Sequence, residues 1–147
     1  MAAGLTIEPG KIELLRARLN ELARRTLTPE SLRPTLKLDG EVQLPELALG
    51  RLRELEELEP LGPGNPSVQL FSRKLKHRRP PQRLGKEQRH LKMWVTDGQA
   101  VHEAVWWNGA QKAWPDGEFD LAFTPQRNQF QGRETVQLKV LDWRSAS

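Results

Sequence analysis

Residues 73–92 read RKLKHRRPPQRLGKEQRHLK, and nine of these twenty side chains are Lys or Arg against one acid, Glu87. The span carries +8 in a chain whose formal total is +4, so the remainder of the 147 residues is net negative. Positive charge gathered in one place suits a polyanion, because a track of cations neutralises successive phosphates. A solvated basic hairpin is the alternative. Acid–base or metal chemistry has fewer resources. The histidines are His77, His90 and His102, none stands beside an Asp, and there is no Cys. Two-metal phosphodiester hydrolysis needs several carboxylates and imidazoles converging on ions about 3.5–4 Å apart, and no such set is present. Thiolate metal sites, disulfides and Cys nucleophiles are excluded.

The elements that must position these residues change in period near the middle of the chain. In residues 11–25, KIELLRARLNELARR, the residues Ile12, Leu15, Leu19 and Leu22 form one stripe of an amphipathic helix. Short extended pieces are expected around Pro29, Pro34 and Asp39-Gly40. A second helix is expected over about 45–59, with Leu52, Leu55 and Leu58 on its apolar side. The turn LGPGNP, residues 61–66, divides this part from the rest of the chain, with Gly62 suited to a left-handed helix end. Beyond it the period is two. Strands are expected at 71–75, 91–95, 105–107, 119–123 and 136–140, separated by the turns TDGQ, NGA, PDGE and FQGR. Five strands with a short helical piece before the fourth fit a five-stranded OB-type Greek-key β-barrel. An SH3-like barrel is the rival. The class is α+β, a helical segment followed by the barrel. No apolar run approaches the roughly 18 residues of a spanning helix, and the N-terminus lacks the basic and apolar regions of a secretory signal.

In such a barrel the first three strands and the loop joining the first two border the nucleic-acid groove. Arg73, Lys74 and Lys76 then lie on the first strand. Arg78, Arg79, Arg83, Lys86 and Arg89 lie on or beside the following loop, and Lys92 on the second strand. If Leu91, Met93 and Val95 face inward, Trp94 faces outward beside Lys92. If Val105 and Trp107 face inward, Trp106 faces outward on the neighbouring strand, and Trp94 with Trp106 forms a platform for stacking bases. Packing of Trp106 beneath the helices is an equal alternative. Trp114, Phe130 and Trp143 read as packing residues. Arg127 and Arg133, in the loop from the fourth strand to the fifth, either touch phosphate or do not; Asn128 and Gly132 read as turn-makers.

In combination, LEPLGPGNP, RLGKEQRHLKMWVTDG, HEAVWWNG, FDLAF and NQFQGRETVQLKVLDWR resemble the C-terminal part of the RecJ family of bacterial single-stranded-DNA-specific exonucleases. The opening AAGLTIEPGKIELLRARLNELA is similar to the last segment of that family's DHHA1 domain. The resemblance implies a DHHA1-like terminal helix at 1–26, a linker with the second helix at 27–66, and an OB domain at 67–147. It implies a cytoplasmic module that holds single-stranded DNA for a 5′-to-3′ exonuclease acting in DNA repair and recombination. The family's Mg or Mn belongs to a catalytic domain whose Asp-His-His motif this sequence lacks, so no cofactor, no metal site and no catalytic residue is expected within this chain. Single-stranded DNA is the expected partner, with a single-strand-binding protein or another repair protein as a second. A protein-interaction module docking an acidic replication or repair partner is the competing function.

Overall fold

The structure, a computed structural model, describes residues 4–62 and 64–146. Two compact units meet between Leu36 and Lys37. In the first, Pro9 opens a single 3₁₀ turn that leads into α1 (Ile12–Thr26). Glu13 in its first turn and Arg24 and Arg25 in its last complement the helix dipole. The helix buries none of its residues, and Ile12, Leu19 and Leu22 of the expected stripe are exposed.

The second unit contains β1 (Gly40–Glu41), α2 (Leu49–Glu56), β2 (Leu70–Leu84), β3 (His90–Thr96), β4 (Val101–Trp106), β5 (Phe119–Phe130) and β6 (Arg133–Ser145). Strands β2, β3, β4, β6 and β5 pair in that order, and β5 pairs back onto β2, so five strands close a ring. Only β4–β6 within the ring is parallel. The two-residue β1 adds in parallel at Leu70 and Phe71. The five expected strands are all present, and β1 makes a sixth strand in the sheet.

Their lengths differ from the expectation, for local reasons. β2 runs through Pro80 and Pro81, which would break a central strand. The two prolines fall at a bulge between Arg79 and Gln82, where the ladder to β3 is already interrupted. A second bulge leaves Arg78 unpaired. β5 likewise continues through Pro125, because beyond Phe123 it pairs with β6 alone and its other edge needs no amide donor. The hairpin to β6 turns on Gln131 and Gly132, with φ of 49° and 75°. Two left-handed residues make the tight turn whose twist matches the flanking strands, and Gly132 takes its place without steric cost.

The helix expected over 45–59 is broken. A 3₁₀ turn spans Leu44–Glu46, Leu47 and Ala48 leave helical geometry, and α2 restarts at Leu49. Leu58 is exposed. Residues 37–66 differ from a linker. Leu44, Leu47 and Leu52 are buried in the same core as Leu75, Leu91, Met93, Phe119, Phe123 and Leu138. Leu44 is held at both backbone groups: its N–H donates to Asp97 Oδ2 at 3.2 Å, and its carbonyl accepts from the His102 ring at 2.9 Å. Gly62 does not take a left-handed conformation; instead it exchanges both backbone bonds with Asn65.

Residues 91, 93 and 95 face inward as expected, but the parity of β4 is reversed. Ala104 and Trp106 enter the core, Trp106 being 4% exposed, whereas Trp107 lies just past the strand and is 51% exposed. A Cβ on Gly109 would stand 2.3 Å from the Trp106 ring, so the following turn closes directly over the indole. Trp106→Ala should therefore cost about 3–5 kcal/mol of stability, and Trp107→Ala no more than about 0.5 kcal/mol; chemical denaturation of both variants checks this.

Asp97 supplies a pH test. Burial by itself would raise its carboxyl pKa, but amides of Ala100, Gln99 and Leu44 donating to it hold the pKa below the ordinary carboxylate value. The folded pKa is depressed, so this contribution is complete above pH about 4 and is lost as pH falls through the folded value. Asp97→Asn should flatten the acid limb of a melting-temperature profile between pH about 5 and 2, leaving the neutral limb parallel to wild type.

Candidate nucleic-acid interface

The long β2–β3 and β5–β6 hairpins rise on either side of the outer face of β3 and β4. Between them lies an open groove of about 810 Å³. Leu84 of the first hairpin and Phe130, Gln131 and Arg133 of the second form its walls. Lys92, Glu103, Val105 and Gln137 form its floor, with Asn128, Thr135 and Trp107 completing the lining. Two aromatic residues are presented here, Trp107 and Phe130, the latter 68% exposed. The Trp107 ring meets His90 edge-on at 4.7 Å between centroids. His90 is fixed in turn, because its Nδ1 accepts the Asn108 N–H at 3.0 Å. One edge of the indole is thus held while the residue stays open to solvent.

The floor is a polar chain across four strands. Lys92 Nζ lies 2.5 Å from Glu103 Oε2. Gln137 Nε2 donates to Glu103 Oε1 at 2.6 Å, and Gln126 Nε2 donates to Gln137 Oε1 at 2.6 Å. The register places Lys92 opposite Val105, Trp94 opposite Glu103, and Glu103 opposite Gln137, so all five residues share one face.

A second cleft, of about 490 Å³, shares Glu103 and Thr135 with the groove and continues past them to Trp94, Val101, His102, Leu47 and Leu49. Trp94 is half-buried and does not stand free. The Arg79 guanidinium lies 3.3 Å from its ring centroid, and Lys92 Nζ lies at 5.2 Å.

The basic span divides into two populations. Arg73 pairs with Glu41 at 3.3 Å, Lys76 with Glu118 at 3.1 Å, and Arg89 with Glu87 at 2.7 Å. Arg127 bridges Glu56 and Glu134 at 3.1 and 3.5 Å, tying the β5–β6 hairpin to α2. Lys74, Arg78, Arg79, Arg83, Lys86 and Arg133 have no acidic partner among the described residues. Lys74 stands apart at a strand irregularity, with φ of 52° and its N–H bonded to Asp120. The unpaired charge therefore concentrates on the far half of the β2–β3 hairpin and at the tip of the β5–β6 hairpin. Arg78, Arg79 and Arg83 belong to strand β2 rather than to a loop, and Arg127, Asn128 and Arg133 to β5 and β6. Asn128 is a strand residue opposite Thr135, not a turn-maker.

Trp106 is the one expected aromatic contact removed outright, since its indole is in the core. Sequence reasoning missed Trp107, Phe130, Glu103 and Gln137. The signal for Trp107 was parity, and for Phe130 its place beside the Gln131-Gly132 turn at the hairpin tip. His102, Ala104 and Trp106 alternate as consistently as Val105 and Trp107, and Gly109 marks the close approach over Trp106. Trp114, expected to pack, is exposed, while Trp143 packs against the core and donates its indole N–H to the Ala113 carbonyl at 3.2 Å. Among the described residues no group of three or more His, Asp or Glu side chains is placed to hold a metal ion. Nor is any helix among them long and apolar enough to cross a membrane.

Comparison with known proteins gives this geometry its family. Residues 38–142 match the RecJ OB domain. The single-stranded-DNA-specific exonuclease RecJ of Dickeya dadantii is 33% identical over 145 residues, covering 95% of this chain and 24% of that protein. The exonuclease of the same name from Escherichia coli K12 is 30% identical over 147 residues, with 95% and 24% covered. The crystal structure of RecJ in complex with Mn²⁺ from Thermus thermophilus shares the fold, with a TM-score of 0.74 at 24% identity over 98% of this chain and 20% of that one. The chain thus spans about a quarter of the length of the curated relatives it matches. The match takes in α2, the whole β2–β5 ring segment and most of β6, and on that ground the chain belongs to the RecJ OB-domain family.

Proposed function

We propose that this chain is a single-stranded-DNA-binding module that holds its ligand for a RecJ-type exonuclease core located in the remainder of the longer relatives. The observation that carries the reading is the groove: two exposed aromatic residues inside it, and cations without acidic partners on the hairpins that wall it. Every base has an apolar face, so Trp107 and Phe130 serve as stacking surfaces only for bases freed from a duplex. Arg78, Arg79 and Lys86 on the β2–β3 hairpin and Arg133 in the groove itself are available to phosphates, whereas Arg83, opposite core-facing Leu91, lies on the other face of its strand. Arg73, Lys76, Arg89, Lys92 and Arg127 are engaged within the chain and contribute less than their number in the sequence implies. Trp94, stacked under Arg79, contributes by orienting that guanidinium. The relatives are named single-stranded-DNA-specific exonucleases, which agrees with this division of labour.

Fluorescence-anisotropy titration of the 147-residue chain with single-stranded oligonucleotides tests the reading. With about four phosphates neutralised, log K should fall against log salt with a slope near −3. Poly-glutamate should compete poorly with the oligonucleotide; effective competition would favour an acidic protein partner instead. Trp107→Ala and Phe130→Ala should each weaken binding by about 1–3 kcal/mol while the chain stays folded. Unchanged affinity in both variants, together with a flat salt response, would remove the groove as the DNA site.

A further inference from the structure

The groove floor offers a phosphate no free cation. Glu103 lies at its centre, half-buried, opposite Trp94 on one strand and Gln137 on the other. Lys92 is within 2.5 Å of that carboxylate, so the pair is close to neutral and the cation is not a free phosphate ligand. Among the cations without acidic partners, Arg133 lines the groove and Arg79 stands over Trp94, which lines the adjoining cleft, with Arg78 and Lys86 farther along the same hairpin. A strand that brings phosphates to those cations and aromatic contacts to Trp107 and Phe130 must turn its base edges toward the floor.

What the floor offers a base edge is specific. Each oxygen of Glu103 has one bond, from Lys92 or from Gln137, and each retains a second acceptor direction. Gln137 is fixed between Glu103 and Gln126, so its amide cannot rotate to present a different pattern without breaking a bond at 2.6 Å on each side. The dominant free group is therefore a pre-oriented anionic acceptor. Cytosine and adenine meet an acceptor with an exocyclic amino group at the edge of the ring, and guanine with adjacent ring and exocyclic N–H groups. Thymine has one imide N–H flanked by two carbonyl oxygens, both of which a carboxylate repels.

From this juxtaposition we infer that Glu103, held by Lys92 and Gln137, makes the groove a base reader that favours amino-bearing bases over thymine. The inference rests on the single-stranded-DNA reading above and sharpens it: binding is graded by base composition. Glu103 is a specificity-determining contact, and Gln137 and Lys92 position it.

The test compares oligo-dC with oligo-dT, each of about fifteen nucleotides, on the full chain at one salt concentration. The two pyrimidines differ little in size, and dC should bind about five- to tenfold more tightly. In Glu103→Gln, whose side chain both accepts and donates, the ratio should collapse toward one, chiefly because dT binding rises as the repulsion is removed. A thermal melt establishes that the variant is folded. An oligonucleotide of N4,N4-dimethylcytosine removes the donors from the ligand and leaves the protein untouched, and it should bind the wild-type chain no better than dT. Equal affinity for dC and dT, with the salt slope intact, overturns the base reader and leaves the single-strand module standing. No measurable binding of either removes both.

Discussion

Everything in the second unit depends on one strand changing partners. From Leu70 to Leu75, β2 pairs with β5; from Lys76 to Leu84 it pairs with β3. Closing a sheet into a ring staggers the strands against one another, and in β2 the stagger puts the pairing with β5 before the pairing with β3 along the strand. The handover is made at an irregularity between Ser72 and Leu75, where Lys74 takes a left-handed conformation and gives its N–H to Asp120. Asp120 is buried and also accepts from Arg144 at 2.9 Å, so one carboxylate joins β2, β5 and β6 at the seam. The core of Leu75, Phe119, Leu121 and Phe123 lies directly along it.

The ring then fixes what the hairpins can do. Beyond the closure β2 pairs with β3 alone, while β3 itself stays paired with β4 along Leu91–Thr96. The β5–β6 hairpin loses its third strand only past Gln137, and from Arg127 to Val136 it projects as a two-stranded ribbon, which twists more strongly than a wide sheet. Bulges at Arg78 and at Pro80–Pro81 bend β2 and keep Arg79, Gln82 and Leu84 on the side of Trp94, Lys92 and His90. Arg127 holds the ribbon to Glu56 of α2. Exposed ion pairs of this kind contribute at most about 1 kcal/mol each, so their value lies in orientation more than in stability.

Much of this architecture is legible in the sequence. The five alternating runs become the five strands of the ring, and the Gln131-Gly132 turn is where its residue types place it. What escapes has physical causes. The strands expected at 71–75 and 119–123 run on through Pro80-Pro81 and Pro125, because local rules carry no information on where a ladder is interrupted or an edge left free. The segment 27–66 reads as a linker because the core contacts of its second part, Leu44, Leu47 and Leu52, are too few to show a period; Asp97 and His102, far along the chain, hold Leu44 in place. The register of β4 was ambiguous because the strand is buried on both faces. Val105 is covered on the groove side at 3% exposure while Ala104 and Trp106 fill the core, so apolar alternation gives two answers. Charge was the most misleading quantity. A sequence counts cations, but it does not show that Glu41, Glu118, Glu56 and Glu134 fold back onto Arg73, Lys76 and Arg127.

That redistribution separates two tasks that the bare sequence merges. If all eleven expected cations faced a ligand, their attraction for phosphate would dominate affinity and would be indifferent to the bases. Instead the engaged cations leave a groove whose rim is positive, whose walls carry aromatic rings, and whose floor centres on a carboxylate. Coulomb attraction acts over about 8–10 Å at ordinary salt, so under the proposed function the rim would govern approach of the phosphate chain. Hydrogen bonds act only at about 3 Å, so the floor would act on bases already drawn in and stacked. A wholly cationic floor would draw phosphates inward and turn the bases to solvent. Under the proposed function the acid at the centre would therefore complement the basic hairpins, by setting which side of the nucleotide chain faces the protein.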